Sequence, residues 1–350
     1  MKKLLKGNEA IAEAAIQAGC RFFFGYPITP QNQIPEYMSK RMPQVGGCFL
    51  QAESEVAAIN MVYGAAGAGA RVMTSSSSPG ISLKQEGISY IVGAELPCVI
   101  VNMVRGGPGL GSIQPAQSDY YQATRGGGHG DYRTIVLAPS SVQENADLAY
   151  LAFDLAGKYR HPVLIGSDAA IGQMVEPVEL PEMREHDINT YDWAIRPRKA
   201  GEDQKVIWNT YYTIGADAYM DYLKEKYATI EANEQRWENV QTDDAEIVLV
   251  AYGISSRVCK AAVKKARAQG IKLGLIRPIT LWPYPKKAFD ALGDQVKGFL
   301  VVEMSILGQM CDDVVLACGN KHPVESYGEF ANVPSEDVIL ERVQEMLKKY

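Results

Sequence analysis

Three short stretches hold most of the side chains in this sequence that could do chemistry. The first, Tyr26-Pro27-Ile28-Thr29-Pro30, follows the apolar run Phe22-Phe23-Phe24 and Gly25. Thr29 sits among prolines, which fix φ and remove a donor. Its hydroxyl is therefore presented from a stiff turn and can bond a carboxylate or keto oxygen, although an ordinary proline-rich turn reads the same way. The second stretch, Glu53-Ser54-Glu55, follows another apolar run, 48–50. A carboxylate at the mouth of a sheet, beside apolar and glycine-rich sequence, can be held partly desolvated. Its pKa then rises and it can exchange a proton with a bound heterocycle. A plain first-turn helix acid fits Glu55 as well, and the sequence does not separate Glu55 from Glu53. The third stretch is Arg105 followed by Gly106-Gly107-Pro108-Gly109-Leu110-Gly111. A guanidinium there can take a carboxylate or phosphate bidentately, with backbone N–H groups beside it; it can equally be a surface arginine at a strand end. The glycine loop is a weak phosphate signal, being neither GxGxxG nor GxxxxGK[ST]. Ser75 to Ser78, followed by Pro79-Gly80, reads as a capping loop as readily as a site.

The elements around these stretches follow from apolar pattern and punctuation. Helices are expected over 8–19, 34–41 and 55–68, with Ser54 as cap of the third. Strands are expected over 21–25, 48–50, 71–74, 97–104, 134–138 and 162–167. A helix follows Pro79-Gly80, and another covers 142–158. This βα alternation predicts a largely parallel sheet with helices on both faces. The reactive loops then lie at the carboxyl ends of its strands, where open α/β sheets bind ligands. The polar stretch 112–133, with glycines around His129, is expected as a long functional loop. Residues 176–243 change character, with Trp193, Trp208, Trp237 and many charges, and read as a linker with a helix over 217–237. A second βα series follows, with strands at 246–252, 272–277 and 298–303 and helices at 255–269, 285–292 and 309–318. The expected division is 1–175, 176–243 and 244–350.

Composition excludes several function classes. Of 350 residues, 47% are hydrophobic and 22% charged, an ordinary globular balance. A net charge of -6 argues against nucleic-acid binding, which uses a basic stripe. The opening Met-Lys-Lys-Leu-Leu-Lys is soon interrupted by Asn8 and Glu9, so it reads as mature protein rather than a signal peptide. No apolar run of about 18 residues suggests a membrane span. The 6 cysteines (Cys20, Cys48, Cys98, Cys259, Cys311 and Cys318) form no CxxC pair, and the 4 histidines are scattered. Buried free thiols in a reducing cytoplasm are expected, with no metal or iron–sulfur site on this chain.

Taken together, Tyr26-Pro27-Ile28-Thr29-Pro30, Glu53-Ser54-Glu55, Ser77-Ser78-Pro79-Gly80 and Arg105-Gly106-Gly107-Pro108 resemble the α subunit of multi-subunit 2-oxoacid:ferredoxin oxidoreductases. The resemblance spans essentially the whole chain. It is greatest to the branched-chain type (2-oxoisovalerate, 3-methyl-2-oxobutanoate), followed by the 2-oxoglutarate type. The run Ser75-Ser76-Ser77-Ser78-Pro79-Gly80 departs from the TSGPG of relatives. The resemblance implies the pyrimidine domain of a thiamine-diphosphate-binding fold and a smaller α/β domain like the C-terminal domain of transketolase. It implies that Glu55 bonds N1′ of the aminopyrimidine, that Thr29 bonds the 2-oxoacid, and that Arg105 meets the substrate carboxylate or coenzyme A. Tyr26, Pro27, Ile28, Ser77, Ser78 and Pro79 would line the cofactor.

The GDG run and following Asn that hold diphosphate and Mg²⁺ in the wider family are missing; the nearest string is Gly130-Asp131-Tyr132. The resemblance thus implies half a cofactor site. A β subunit would bring the diphosphate half with Mg²⁺. A γ subunit and a ferredoxin-like δ subunit would complete the complex, with iron–sulfur clusters on partner chains and ferredoxin as acceptor. The loop 109–117 offers Leu110 and Ile113 and no Lys or Arg, which leans toward a branched-chain acid over 2-oxoglutarate. A non-catalytic scaffold subunit is the reading of a different class; an aryl-pyruvate enzyme is disfavoured by the lack of cysteine clusters.

Overall fold

The computed structural model describes residues 2–198 and 200–350. Among these, the apolar runs of the first half assemble into a seven-stranded sheet. Its order across is Thr280–Trp282, Ile135–Leu137, Pro162–Asp168, Cys98–Val104, Val72–Ser76, Phe22–Gly25 and Cys48–Gln51. Every neighbouring pair is parallel except the first. Cys98–Val104 is buried at every residue, which is why it reads as an apolar run with a single polar interruption, Asn102.

The chain order creates a crevice. From Phe22–Gly25 the chain steps outward to Cys48–Gln51, then returns to the opposite flank at Val72–Ser76. Helices leave the two flanks in opposite senses here, and a gap opens at the carboxyl ends of the strands. Pairing between Phe22–Gly25 and Val72–Ser76 covers only Phe22↔Val72 and Phe23↔Met73, so the strands part beyond that point.

Two helices wall the crevice. Glu55–Gly67 starts where Ser54 Oγ accepts from Ala57 N (3.2 Å), satisfying one of the orphan donors of the first turn. Pro79–Gly93 starts with proline in its first turn, where the missing N–H costs nothing. Glycine lets the two helices approach closely, since a Cβ at Gly87 would lie 2.5 Å from Ile59 Cγ2.

The second sheet has five strands in the order Val324–Gly328, Gly298–Glu303, Ile247–Val250, Leu273–Pro278 and Trp237–Val240, all parallel but the last. The carboxyl edges of the two sheets meet. Buried Gln117 donates to Tyr252 O (2.9 Å) and accepts from Met304 N (2.9 Å) and Ser255 Oγ (2.8 Å). Asp168, buried at the end of its strand, accepts from Ile254 N (2.8 Å).

Several elements differ from expectation. The stretch 112–133 contains a helix, Tyr120–Arg125, because Tyr120 is drawn into the interior, donating to Asp313 Oδ2 (2.5 Å). The helix expected to reach 237 is Ala216–Asn233, and Trp237 instead opens the edge strand of the second sheet. Val175–Val178 pairs antiparallel with Lys3–Lys6. Thr280–Trp282 reaches across to become an edge of the first sheet. The chain ends in a helix, Glu336–Lys349, that buries Ile339, Leu340, Val343 and Met346. No helix is long and apolar enough to cross a membrane among the described residues.

Candidate active site

The crevice gathers the three stretches. The turn 26–30 follows the first strand, Glu55 opens the helix after the neighbouring strand, and residues 75–80 close the strand on the other flank. Arg105 continues the next strand along and is bridged to Pro115. Long-range polar contacts hold the turn. Asn8 Nδ2 (2.8 Å) and Gln173 Nε2 (2.9 Å) both donate to Pro30 O. Fully buried Gln31 donates to Tyr26 O (3.1 Å) and accepts from Ser75 Oγ (2.5 Å), tying turn to strand across the gap. The Thr29-Pro30 peptide is cis. Pro27 and Thr29 are exposed, while Tyr26 and Ile28 are half-buried. Thr29 Oγ1 faces outward and accepts from Asn32 Nδ2 (3.3 Å), so its own proton stays available.

Glu53 and Glu55 are distinguished by burial. Glu53 is exposed; Glu55 is buried at the first position of its helix. The Glu55 side chain occupies the hollow left by a glycine. A Cβ on Gly80 would lie 2.7 Å from Glu55 Oε1 and 2.1 Å from Ser76 Oγ. The hydroxyls of Ser76 and Ser77 are buried and have no hydrogen-bond partner. Buried polar groups are nearly always satisfied, so the orphaned Ser76 hydroxyl beside the buried Glu55 carboxyl makes this a candidate place for a ligand to complete the set.

Arg105 is buried, and its guanidinium is committed to backbone. Nη1 donates to Thr29 O (2.7 Å) and Nη2 to Leu110 O (2.8 Å), while buried Nε has no partner. It laces the turn 26–30 to the glycine loop. A substrate carboxylate would have to displace one of these carbonyls or use Nε. Ser78 is likewise engaged: its Oγ accepts from Arg105 N (3.0 Å), and its N donates to Asn102 Oδ1 (2.9 Å). The expected lining role thus suits Ser77, whose hydroxyl is unused, more than Ser78. Pro79 is half-buried at the helix start. Asn102 Nδ2 donates to Asp119 (2.9 Å), whose carboxyl is raised by burial against the pull of Ser78, Asn102 and Arg105.

Sequence reading missed Lys84, Gln31, Asn102 and Asp119. Lys84 is fully buried within reach of Glu55. Burial lowers its pKa to about 8, against the attraction of Glu55. The available signal was a single lysine in an otherwise uncharged inward face, one turn after the Pro79-Gly80 start.

These features suit the aminopyrimidine side of thiamine diphosphate: a buried acid, seated in the hollow at Gly80, to bond a ring nitrogen, and orphaned hydroxyls. Among the described residues there is no group of three or more His, Cys, Asp or Glu that could hold a metal.

Comparison with known proteins gives a consistent picture. Residues 13–242 match the thiamine diphosphate-binding domain of pyruvate flavodoxin/ferredoxin oxidoreductases, and residues 245–339 match core domain II of pyruvate:ferredoxin oxidoreductase. The chain is 54% identical over 320 residues to the ketoisovalerate oxidoreductase subunit VorB of Methanothermobacter thermautotrophicus, covering 91% of this chain and 90% of the relative. It is 38% identical to the 2-oxoglutarate synthase subunit KorA of Methanocaldococcus jannaschii, covering 90% and 92%. Among solved structures it resembles 2-oxoglutarate:ferredoxin oxidoreductase from Magnetococcus marinus, with a TM-score of 0.87 and 26% identity. That match covers 99% of this chain and 65% of the other, so the chain spans about two thirds of that protein's length.

Proposed function

Because the chain belongs to the family of thiamine-diphosphate-dependent 2-oxoacid:ferredoxin oxidoreductase subunits, we propose that it forms the aminopyrimidine-facing half of a shared active site. The assembled enzyme would oxidise a branched-chain 2-oxoacid, with coenzyme A, to acyl-CoA and CO₂ while reducing ferredoxin. The observation that carries this reading is Glu55, buried against Gly80 and the orphaned Ser76 hydroxyl at the parting of two parallel strands. When bound, thiamine diphosphate supplies the nucleophilic carbon and the electron sink for loss of CO₂.

This chain's residues have distinct tasks. Glu55 holds a proton at the ring nitrogen N1′, and its fixed, partly desolvated position lets that proton count in the reaction. Ser76 and Ser77 offer hydroxyls to the ring, and Tyr26, Pro27, Ile28 and Pro79 shape its surroundings. Thr29 donates from the rim to a 2-oxoacid oxygen. Arg105 takes the substrate carboxylate or a coenzyme A phosphate by exchanging a backbone carbonyl for it, a charge-assisted bond being the stronger.

Partner subunits bring what this chain lacks: a β chain with the diphosphate half and Mg²⁺, and γ and δ chains with the iron–sulfur clusters that pass electrons to ferredoxin. The six unpaired cysteines favour a reducing cytoplasm. Leu110 and Ile113, 84% and 61% exposed beside the Arg105 anchor, favour a branched apolar substrate, as does the greater identity to the ketoisovalerate relative.

A panel of 2-oxoacids offered to the purified complex tests the proposal. Ferredoxin reduction fastest with 3-methyl-2-oxobutanoate is expected. A preference for 2-oxoglutarate would favour the neighbouring type. No 2-oxoacid-dependent reduction by a fully assembled complex would leave the chain a scaffold.

A further inference from the structure

The second sheet has a switch point of its own. From Ile247–Val250 the chain steps to Leu273–Pro278 on one side, then returns to the other flank at Gly298–Glu303. The gap at the carboxyl ends of two such strands is where an open α/β sheet takes a small molecule. Here it is filled from the first half of the chain. Gln117, 2% exposed, reaches both strand ends. Its Nε2 donates to Tyr252 O (2.9 Å), just past Val250, and its Oε1 accepts from Ser255 Oγ (2.8 Å) and from Met304 N (2.9 Å), just past Glu303. Its backbone N donates to Met304 O (2.9 Å), and its backbone O accepts from the Tyr252 hydroxyl (3.0 Å). Beside it, Asp168 accepts from Ile254 N (2.8 Å) in the first turn of the helix Gly253–Ala268, where a bound anion would otherwise sit. Gly253, at φ +56°, leaves room for both side chains. A Cβ there would lie 2.6 Å from Asp168 Oδ2 and 2.7 Å from Gln117 Nε2.

The two halves are also joined without this segment, for Arg277 donates to Glu144 through Nη1 (2.7 Å) and Nη2 (2.8 Å). What Gln117 adds is a fixed end for the segment that starts at Arg105. Two residues before it, Pro115 bridges Arg105, and Gln114 O accepts from Gly106 N (2.9 Å). The Arg105 guanidinium in turn holds Thr29 O (2.7 Å) and Leu110 O (2.8 Å). A short run of contacts therefore leads from the second sheet's gap to the rim of the first sheet's crevice.

We propose that Gln117 is a positioning residue for substrate binding. Seated between the strand ends of the second sheet, it fixes the returning limb of segment 106–118 and, through Pro115, the seat of Arg105 and Thr29. The second α/β unit takes a segment of its own chain where such a sheet would take a small ligand. This rests on the rim of the first crevice being the 2-oxoacid site.

The test uses the assembled complex in wild-type, Gln117→Met, Ser255→Ala and Glu144→Gln forms, with the 2-oxoacid that wild type turns over fastest. Gln117→Met keeps the side chain's length and removes its three hydrogen bonds. Ser255→Ala removes one of them from the other side. Glu144→Gln weakens a contact between the halves that touches no part of the segment. In Gln117→Met the KM for the 2-oxoacid is expected to rise about tenfold while kcat stays within about twofold, the pattern of lost substrate positioning. Ser255→Ala is expected to move KM the same way by about threefold, the worth of one hydrogen bond. Glu144→Gln is expected to lower the melting temperature and leave KM unchanged. Amide hydrogen exchange over 106–118 is expected to speed up in Gln117→Met and not in Glu144→Gln. Thiamine diphosphate affinity, measured by calorimetry, is expected to hold in all three variants.

An unchanged KM in Gln117→Met, or an equal rise in Glu144→Gln, would overturn the proposal. So would a loss of thiamine diphosphate affinity as large as the rise in KM, which would mean that the whole crevice is disturbed. If Gln117→Met does not assemble, Ser255→Ala decides, and an unchanged KM there overturns it. A fully assembled wild-type complex that reduces ferredoxin with no 2-oxoacid would instead refute the proposed function, and this proposal with it.

Discussion

Glu55 and Glu303 are both buried carboxyls at the carboxyl edge of a largely parallel sheet, yet their surroundings differ. Glu303 ends the strand Gly298–Glu303 and is completely enclosed. It accepts from Met310 N (3.2 Å), and burial pushes it up to about 8 despite that bond. Tyr252 and Tyr284, also buried, lie in its field. Glu55 instead borders orphaned hydroxyls, a glycine hollow and a lysine. Desolvation alone therefore does not identify a working acid. The distinguishing feature is engagement: the Glu303 carboxyl already accepts from Met310 N, although the Tyr284 hydroxyl in its field is unpartnered, whereas among the described residues no hydrogen bond reaches the Glu55 carboxyl, so a second molecule can complete the set there. Glu303 caps the loop that follows it; Glu55 is the one of the two to which the proposed function gives a partner.

The contrast can be broken most directly at Glu55. Glu55→Gln keeps the shape and removes the titrating group, so turnover by the reconstituted complex should fall about 10²- to 10⁴-fold, the usual worth of a positioned proton-transfer group. Full activity in that variant would erase the distinction between the two acids. Gly80→Ala comes next. The added methyl would meet Ser76 Oγ at 2.1 Å and Glu55 Oε1 at 2.7 Å. Overpacking of this kind costs about 1–3 kcal/mol, and thiamine diphosphate titration should show affinity reduced by tenfold or more.

Glu303→Gln sharpens the other side. In the folded chain burial makes Glu303 keep its proton up to about pH 8, whereas the unfolded chain releases it near the ordinary glutamate value of 4.5. The unfolded state therefore binds fewer protons between these values, and wild-type stability should fall as pH rises through that window. Glutamine removes this contribution. The melting temperature of the variant should gain on wild type from pH 5 to pH 8, with turnover changed less than twofold. The smallest expected effect is at the rim. Leu110→Arg should shift relative kcat/KM toward 2-oxoglutarate by several-fold, measured against 3-methyl-2-oxobutanoate in the same preparation.

The frame of the site was readable from sequence because its strands are buried on both faces and appear as apolar runs ended by glycine, proline or acids. Placing 26–30, 53–55 and 75–80 at strand ends needed no more than that. Choosing Glu55 over Glu53 needed the helix start, where one carboxyl turns inward and the other outward. Lys84 was hidden because a lone lysine on a helix normally lies in solvent, and only the packing of two glycine-bearing helices buries it. The partners of Arg105 are carbonyls of Thr29 and Leu110, and backbone acceptors leave no mark in residue type. Thr280–Trp282 is too short to show a period. The final helix, in contrast, did carry a helical spacing in Ile339, Leu340, Val343 and Met346 that a longer scan would have found.

That short crossing strand has a consequence for how the polypeptide can be divided. Thr280–Trp282 covers Ile135–Leu137, which would otherwise be the last strand on its side, with unpaired amides open to another chain. The half bearing Glu55 is therefore sealed by a piece of the half that follows it. A fragment cut between the two matched regions would present a raw apolar margin and is expected to self-associate, so the protein is best handled, mutated and reassembled uncut.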